Sequence, residues 1–135
     1  MADETIFEEK YRQLQQLQQQ VEQITEYVER MQGQQKELDA SIEALSELQK
    51  TNINTEILAP IANGIFLKAE LKDNQRLVVN VGAEVTVEKN IPEVLRLLAE
   101  QKEKIAENIS EAENVLQELY EQGKRLYQES GEAAE

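Results

Sequence analysis

The side chains that could perform covalent chemistry are few, and none is placed to do so. Ser41, Ser46, Ser110 and Ser130 lie in helix-like or tail context, and the chain has no His and no Cys. No imidazole is therefore present to activate a hydroxyl at neutral pH, and no thiol can act as nucleophile. The same two absences remove disulfides and most zinc chemistry. Carboxylates are plentiful, but their spacing follows the outer faces of helices rather than a converging pair. Gly82-Ala83-Glu84 lacks the glycine spacing and the Lys of a phosphate loop. Asp73-Asn74 lacks the further oxygen ligands of a calcium loop, and Asn63-Gly64 is a hairpin dipeptide. The expectation is a protein without catalytic residues, metal or cofactor, and not an enzyme.

What is left is non-covalent. Ile6, Phe7, Tyr11 and Leu14 crowd the first turns of one helical segment, and Leu119, Tyr120, Leu126 and Tyr127 the last turns of another. Phe7, Leu14, Leu119 and Leu126 fall on a helix–helix seam and can either close it or bind a partner. Ile6, Tyr11, Tyr120 and Tyr127 fall off the strict seam, so contact with exposed apolar groups of another polypeptide is the favoured reading. A second set is Leu58, Ile61, Ile65, Phe66, Leu67, Leu77, Val79, Val81, Val85 and Val87. These are too many for a free β ribbon, and the ribbon's backbone edges also need partners. The protein's own helix ends could cover some of them. A barrel or sandwich built from hairpins of several subunits would cover the rest.

The elements that position these residues follow from periodicity. Phe7, Leu14, Val21, Val28 and Ile42 recur every seven residues, interleaved with Leu17, Ile24, Met31, Leu38 and Leu45; Lys10 and Gln35 interrupt the rows. Ile91, Leu98, Ile105, Ala112, Leu119 and Leu126, joined by Leu95, Ile109 and Leu116, repeat the design. A 3.5-residue seam is buried only by another helix. The two arms are therefore expected to fold back as an antiparallel coiled coil, with Leu14 opposite Tyr127 and both chain ends together. Thr5 with Glu8 reads as a capping box, giving a helix over 5–49. Asn90 as cap and Pro92 in the first turn open a second helix over 92–129, followed by a short acidic tail, 130–135. Between them the period changes to two, with strands near 56–59, 64–71, 76–81 and 84–89, the first stopped by Pro60. The seven glutamines from Gln13 to Gln23 leave the heptad intact and read as helical surface filler. The fold class is mainly α with a small β part, in one domain spanning 1–135. Two β-hairpins over 56–89 join the helices and are expected to assemble into an oligomeric barrel platform.

Composition narrows the partners. The net charge is −13, and each arm carries eleven acids against five bases. Phosphate binding needs clustered Lys and Arg, so nucleic acid and anionic membrane surfaces are disfavoured. No apolar run approaches a membrane span and Met1–Glu9 shows no signal-peptide pattern, so a cytoplasmic location is expected. At 4% aromatic and without Trp, a lone helix pair buries only a narrow stripe, which predicts assembly with other subunits.

The middle segment carries a more specific signal. Ile57-Leu58-Ala59-Pro60-Ile61-Ala62-Asn63-Gly64-Ile65-Phe66-Leu67-Lys68-Ala69-Glu70-Leu71, followed by Val79-Asn80-Val81-Gly82-Ala83-Glu84-Val85-Thr86-Val87-Glu88-Lys89, resembles prefoldin, specifically its α-type subunit, and the likeness extends over essentially the whole chain. It departs at Ala62-Asn63, where a glycine-rich start is usual, and at Glu84, where a small residue is common. The resemblance implies a hexamer of two α and four β-type subunits whose hairpins form a double-barrel platform. It implies that the distal tips, here Ile6, Phe7, Tyr11, Leu14, Leu119, Tyr120, Leu126 and Tyr127, hold non-native polypeptides without ATP and deliver them to a group II chaperonin. Acidic tip residues Asp3, Glu4, Glu8, Glu129 and Glu132 are then expected to meet basic chaperonin surfaces. Three other readings share parts of the pattern: a filament-forming relative of the same fold, a coiled-coil nucleotide-exchange co-chaperone, and an RNA-gripping helical arm. The acidic arms argue against the last.

Overall fold

The structure is a computed structural model that describes residues 2–134, with side chains from residue 4 to residue 129. Helix α1 spans Ala2–Lys50 and helix α2 spans Ile91–Ala134. Four strands lie between them: β1 Glu56–Ala62, β2 Ile65–Glu70, β3 Arg76–Asn80 and β4 Thr86–Asn90. They form two separate antiparallel ribbons, β1–β2 and β3–β4. The chain divides into two compact units, one formed by the chain up to Gln35 and from Lys104 onward, the other by Lys36–Glu103.

In the first unit the heptad rows lie against each other antiparallel. Leu14, Leu17, Val21, Ile24 and Met31 of α1, with Ile105, Ala112, Leu116, Leu119 and Leu126 of α2, are half-buried. Val28 and Ile109 are buried. The Lys10 ammonium lies 3.9 Å from the Glu129 carboxylate, which sets the register within a turn of the expected Leu14–Tyr127 pairing. Lys10 interrupts the apolar row as expected, and this ion pair is how the seam accommodates it.

The second unit holds the ribbons and the adjoining helix segments. Each ladder extends one rung past its strands, and the residue at each extra rung is buried. Leu71 donates to Thr55 O at 2.9 Å and accepts from Asn54 N–H at 2.6 Å. Ile91 donates to Gln75 O at 2.8 Å and is the one fully buried large side chain among the described residues. Asn90 caps α2: its Oδ1 accepts from Glu93 N–H at 2.9 Å and its Nδ2 donates to the Glu93 carboxylate at 3.1 Å. The first of these bonds satisfies a helix donor that would otherwise lack a partner. Asn74 Nδ2 reaches Thr51 O at 3.0 Å, tying the β2–β3 link to the end of α1. An ion pair joins Asp39 to Lys102.

Several boundaries differ from expectation. α1 begins at Ala2, ahead of Thr5, so Thr5 lies inside the helix instead of capping it; Ala2, Asp3 and Glu4 are compatible with a helical first turn. Gly131 does not end α2, which continues to Ala134, because one glycine costs only ~1 kcal/mol. Residue 135 of the expected tail lies outside the described residues. Pro60 does not stop β1, which continues to Ala62. A two-stranded ribbon has open edges where a missing N–H is tolerated, and a register shift between Pro60 and Ala62 absorbs Ile61. At Asn63-Gly64 only Gly64 has positive φ, at 79°, the sign pattern of a type II turn rather than of the both-positive hairpin turn.

The Asp73 carboxylate accepts from Gln75 N–H at 2.8 Å and Arg76 N–H at 3.2 Å, closing the turn before β3. These backbone hydrogen bonds, aided by the Arg76 charge, hold its pKa below the ordinary 3.8. A lowered carboxylate pKa adds stability that is complete above the unfolded value and lost as pH falls through the folded one. The Asp73 side-chain carboxyl carbon should titrate below pH 3.8 by NMR, with the Gln75 and Arg76 amide shifts following the same curve. Replacing Ile91→Ala should cost about 2–5 kcal/mol in denaturant unfolding, far more than at any exposed leucine.

Candidate binding surfaces

Helix phase decides which large side chains the first unit leaves open. A two-helix seam covers one stripe per helix, so residues a third of a turn off it stay in water. Ile6 and Tyr11 of α1, with Tyr120 and Tyr127 of α2, are exposed; Tyr127 retains 75% of its accessible surface. Phe7 lies on the seam by spacing, yet it too is 65% exposed. Leu14, Leu119 and Leu126 are half-buried and take part in the seam. On α1, Phe7 and Tyr11 stand one turn apart around a shallow depression shared with Glu8, Arg12 and Gln15. The Lys10–Glu129 ion pair brings this start of α1 beside the end of α2, so Phe7, Tyr11 and Tyr127 belong to one region. Glu4, Glu8 and Glu129 are exposed within it, whereas the side chains of Asp3 and Glu132 lie outside the described residues.

The ribbons form the second candidate surface. In β1–β2, Leu58, Ile61, Ile65, Phe66 and Leu67 are exposed. In β3–β4, Leu77 pairs with Lys89 and Val79 with Val87 on one half-buried face. Val81 and Val85 flank the turn and are exposed, closed by Val81 N–H to Val85 O at 2.9 Å. Within that turn Gly82, Ala83 and Glu84 all have positive φ, a conformation that L side chains rarely adopt. Asn80 Oδ1 steadies it by accepting from Gly82 N–H at 2.9 Å. Val78 was not anticipated. It is 69% exposed on the opposite face, beside the Arg76–Glu88 ion pair. The continuous run Leu77-Val78-Val79 hides the alternation, so only the pairing of Val78 with Glu88 reveals its side. Ile53, Leu97 and Val115 are further exposed residues that the heptad rows do not flag.

Among the described residues no group of His, Cys, Asp and Glu could hold a metal ion, and no buried side-chain polar atom lacks a hydrogen bond. No described helix is long and apolar enough to cross a membrane. What the structure presents is two patches of exposed apolar side chains, one on helix ends and one on ribbons.

A family model described as prefoldin subunit matches residues 7–134. The chain belongs to the prefoldin family. Among its relatives, prefoldin subunit alpha of Archaeoglobus fulgidus is 26% identical over 129 residues, covering 96% of this chain and 94% of that protein. The prefoldin subunit alpha of Thermofilum pendens is 28% identical over 83 residues, 62% of this chain and 64% of the relative. That of Methanothrix thermoacetophila is 38% identical over 71 residues, 53% and 46% respectively. Among solved structures, a chain in the cryo-EM structure of filamentous PFD from Methanocaldococcus jannaschii shares the fold. It has a TM-score of 0.77 at 19% identity, over 88% of this chain and 98% of that one. Prefoldin subunits are non-enzymatic chaperone components, and the family membership supports a chaperone-type role. It also implies assembly with other prefoldin subunits.

Because the open side chains at the helix ends contribute little burial, this prefoldin chain should fold without them. Phe7→Ser, Tyr11→Ser and Tyr127→Ser should each change unfolding free energy by no more than about 0.5 kcal/mol. Val28→Ala, inside the seam, should cost at least about 1 kcal/mol by the same measurement.

Proposed function

We propose that this chain is an α-type prefoldin subunit that holds non-native polypeptides through the ends of its coiled coil and passes them, without ATP, to a group II chaperonin. The observation that carries the reading is that Phe7, Ile6, Tyr11, Tyr120 and Tyr127 are all left open. Exposed aromatic and aliphatic groups on helix ends offer weak, sequence-tolerant contacts to any unfolded segment. Leu14, Leu119 and Leu126 lie at the inner margin of that region, half-buried in the seam. In a hexamer of two such chains and four β-type subunits, several tips facing one client raise the effective concentration, so avidity does the holding. Each individual contact is released quickly, which suits hand-over without nucleotide. Glu4, Glu8 and Glu129, with Asp3 and Glu132, are the groups proposed to meet basic chaperonin surfaces. The work is assigned to the cytoplasm.

The ribbon residues Leu58, Ile61, Ile65, Phe66, Leu67, Val81 and Val85, together with the half-buried Leu77, Val79 and Val87, are assigned to the subunit interface. Ribbons this short are marginal alone, and pairing their edges with other subunits would cover both side chains and backbone. One domain over 1–135 then serves both ends of the task. A filament-forming role is the second reading. It is favoured by one observation, that the solved chain of like fold comes from a filamentous assembly, and electron microscopy of the purified chain would reveal it as long fibres.

The test removes both tips, Met1–Leu14 and Leu119–Glu135, from the chain assembled with a β-type partner. Suppression of aggregation of a denatured test protein should fall several-fold, while native mass spectrometry still detects the assembly. Equal suppression by the shortened form would refute the tip assignment.

A further inference from the structure

Two lysines stand where the heptad rows call for apolar residues. Lys10 occupies the α1 row of Leu17, Ile24, Met31, Leu38 and Leu45, and Lys102 the α2 row of Leu95, Ile109 and Leu116. Each meets an acid of the opposite helix: Lys10 meets Glu129 at 3.9 Å, and Lys102 meets Asp39. Each compact unit contains one of the two pairs. The Lys10 side chain is the more enclosed, with 23% of its surface accessible against 45% for Lys102. The units differ in what else aligns their helices. In the second, Ile91 N–H bonds Gln75 O and Asn74 Nδ2 bonds Thr51 O, so the link between the ribbons anchors the adjoining ends of both helices. The described residues of the first unit are all helical, so there side chains alone choose the register.

The apolar rows of that unit choose poorly. They repeat every seven residues with interchangeable aliphatic groups, so sliding one helix by seven returns an apolar residue to most positions. The glutamines between Gln13 and Gln23 are uncharged and discriminate no better. The lysine does discriminate. Seven residues before Glu129 stands Gln122. A slide that brings Gln122 up to Lys10 leaves a largely enclosed ammonium without a counter-charge, and carries α2 about 10 Å along α1. Stranding such a charge is strongly destabilising, whereas the intact pair is itself no better than an apolar pair of like size. A polar residue at a single seam position fixes register in this way, at a cost in stability. We propose that Lys10 is the alignment key of the first unit: it costs the seam an apolar contact and restricts the two helices to the register that brings Glu129 to it. The patch of open side chains at the helix ends then has one fixed arrangement, because a slide of seven would redraw it.

The chain has no Cys, so nitroxide labels on cysteines placed at Glu26 and Lys124, both exposed in the first unit, read the register directly. The full chain is assembled with a β-type partner, and labelled chain is diluted with unlabelled chain so that only distances within one chain are measured. The otherwise unaltered chain should give one distance. Lys10→Leu completes the apolar row; it should raise the denaturant midpoint and yet add a second population at a longer distance, because the slide moves position 124 away from position 26. Glu129→Gln makes position 129 match Gln122. It should add the same longer distance while lowering the midpoint. The exchange Lys10→Glu with Glu129→Lys keeps the pair and should return the single distance. Circular dichroism verifies that each variant keeps its helices. One unshifted distance in both Lys10→Leu and Glu129→Gln overturns the inference, and so does a second distance that persists in the exchanged chain.

Discussion

The constraint on which everything else depends is that one helix can cover only one stripe of another. Only Val28, Leu71, Ile91 and Ile109 count as buried hydrophobic residues among those described. The rest of the apolar content lies half-buried or exposed, along the seam, at the helix ends, on the ribbons and at Ile53, Leu97 and Val115. Burial supplies most of the free energy of folding, so a chain with this little interior gains much of its order from long regular hydrogen-bonded helices and from partners. The family membership implies such partners. Exposure of large side chains is thus a direct result of the architecture.

Charge is what makes that exposure tolerable. Eleven acids on each arm surround the open aromatics with repelling carboxylates, which discourages self-association. The few ion pairs do different work. Lys10 with Glu129 neutralises a lysine that interrupts an apolar row, and Arg76 with Glu88 lies in solvent on a ribbon face, where such a pair adds little to stability.

The seam was legible because heptad spacing leaves a clear record in sequence: apart from Phe7, the residues picked by period alone are half-buried or buried. The two ribbons and the Asn90 cap were legible for the same kind of reason, since alternation and capping are local. Boundaries were less so. Thr5, Pro60 and Gly131 carry stop or start signals that the surrounding helix or strand overrides at small cost. Phe7 shows the deeper limit. Its spacing places it in the seam, but whether a partner reaches it depends on where the other helix supplies a side chain, which no local pattern states. Val78 was obscured by apolar neighbours. The resemblance in the middle segment identified the family that the match over residues 7–134 shows; periodicity alone reached only the architecture.

The Lys10–Glu129 contact joins positions from opposite ends of the sequence, whereas the ribbons and the Asn90 cap close over a few residues. Short closures come early and cheaply, and distant ones wait for them. During synthesis, then, the early part of the α1 apolar row emerges bare and remains so until the facing part of α2 has been made. For that interval the nascent chain resembles the material it is proposed to protect, and its glutamine- and glutamate-rich flanks are what keep it from the same fate.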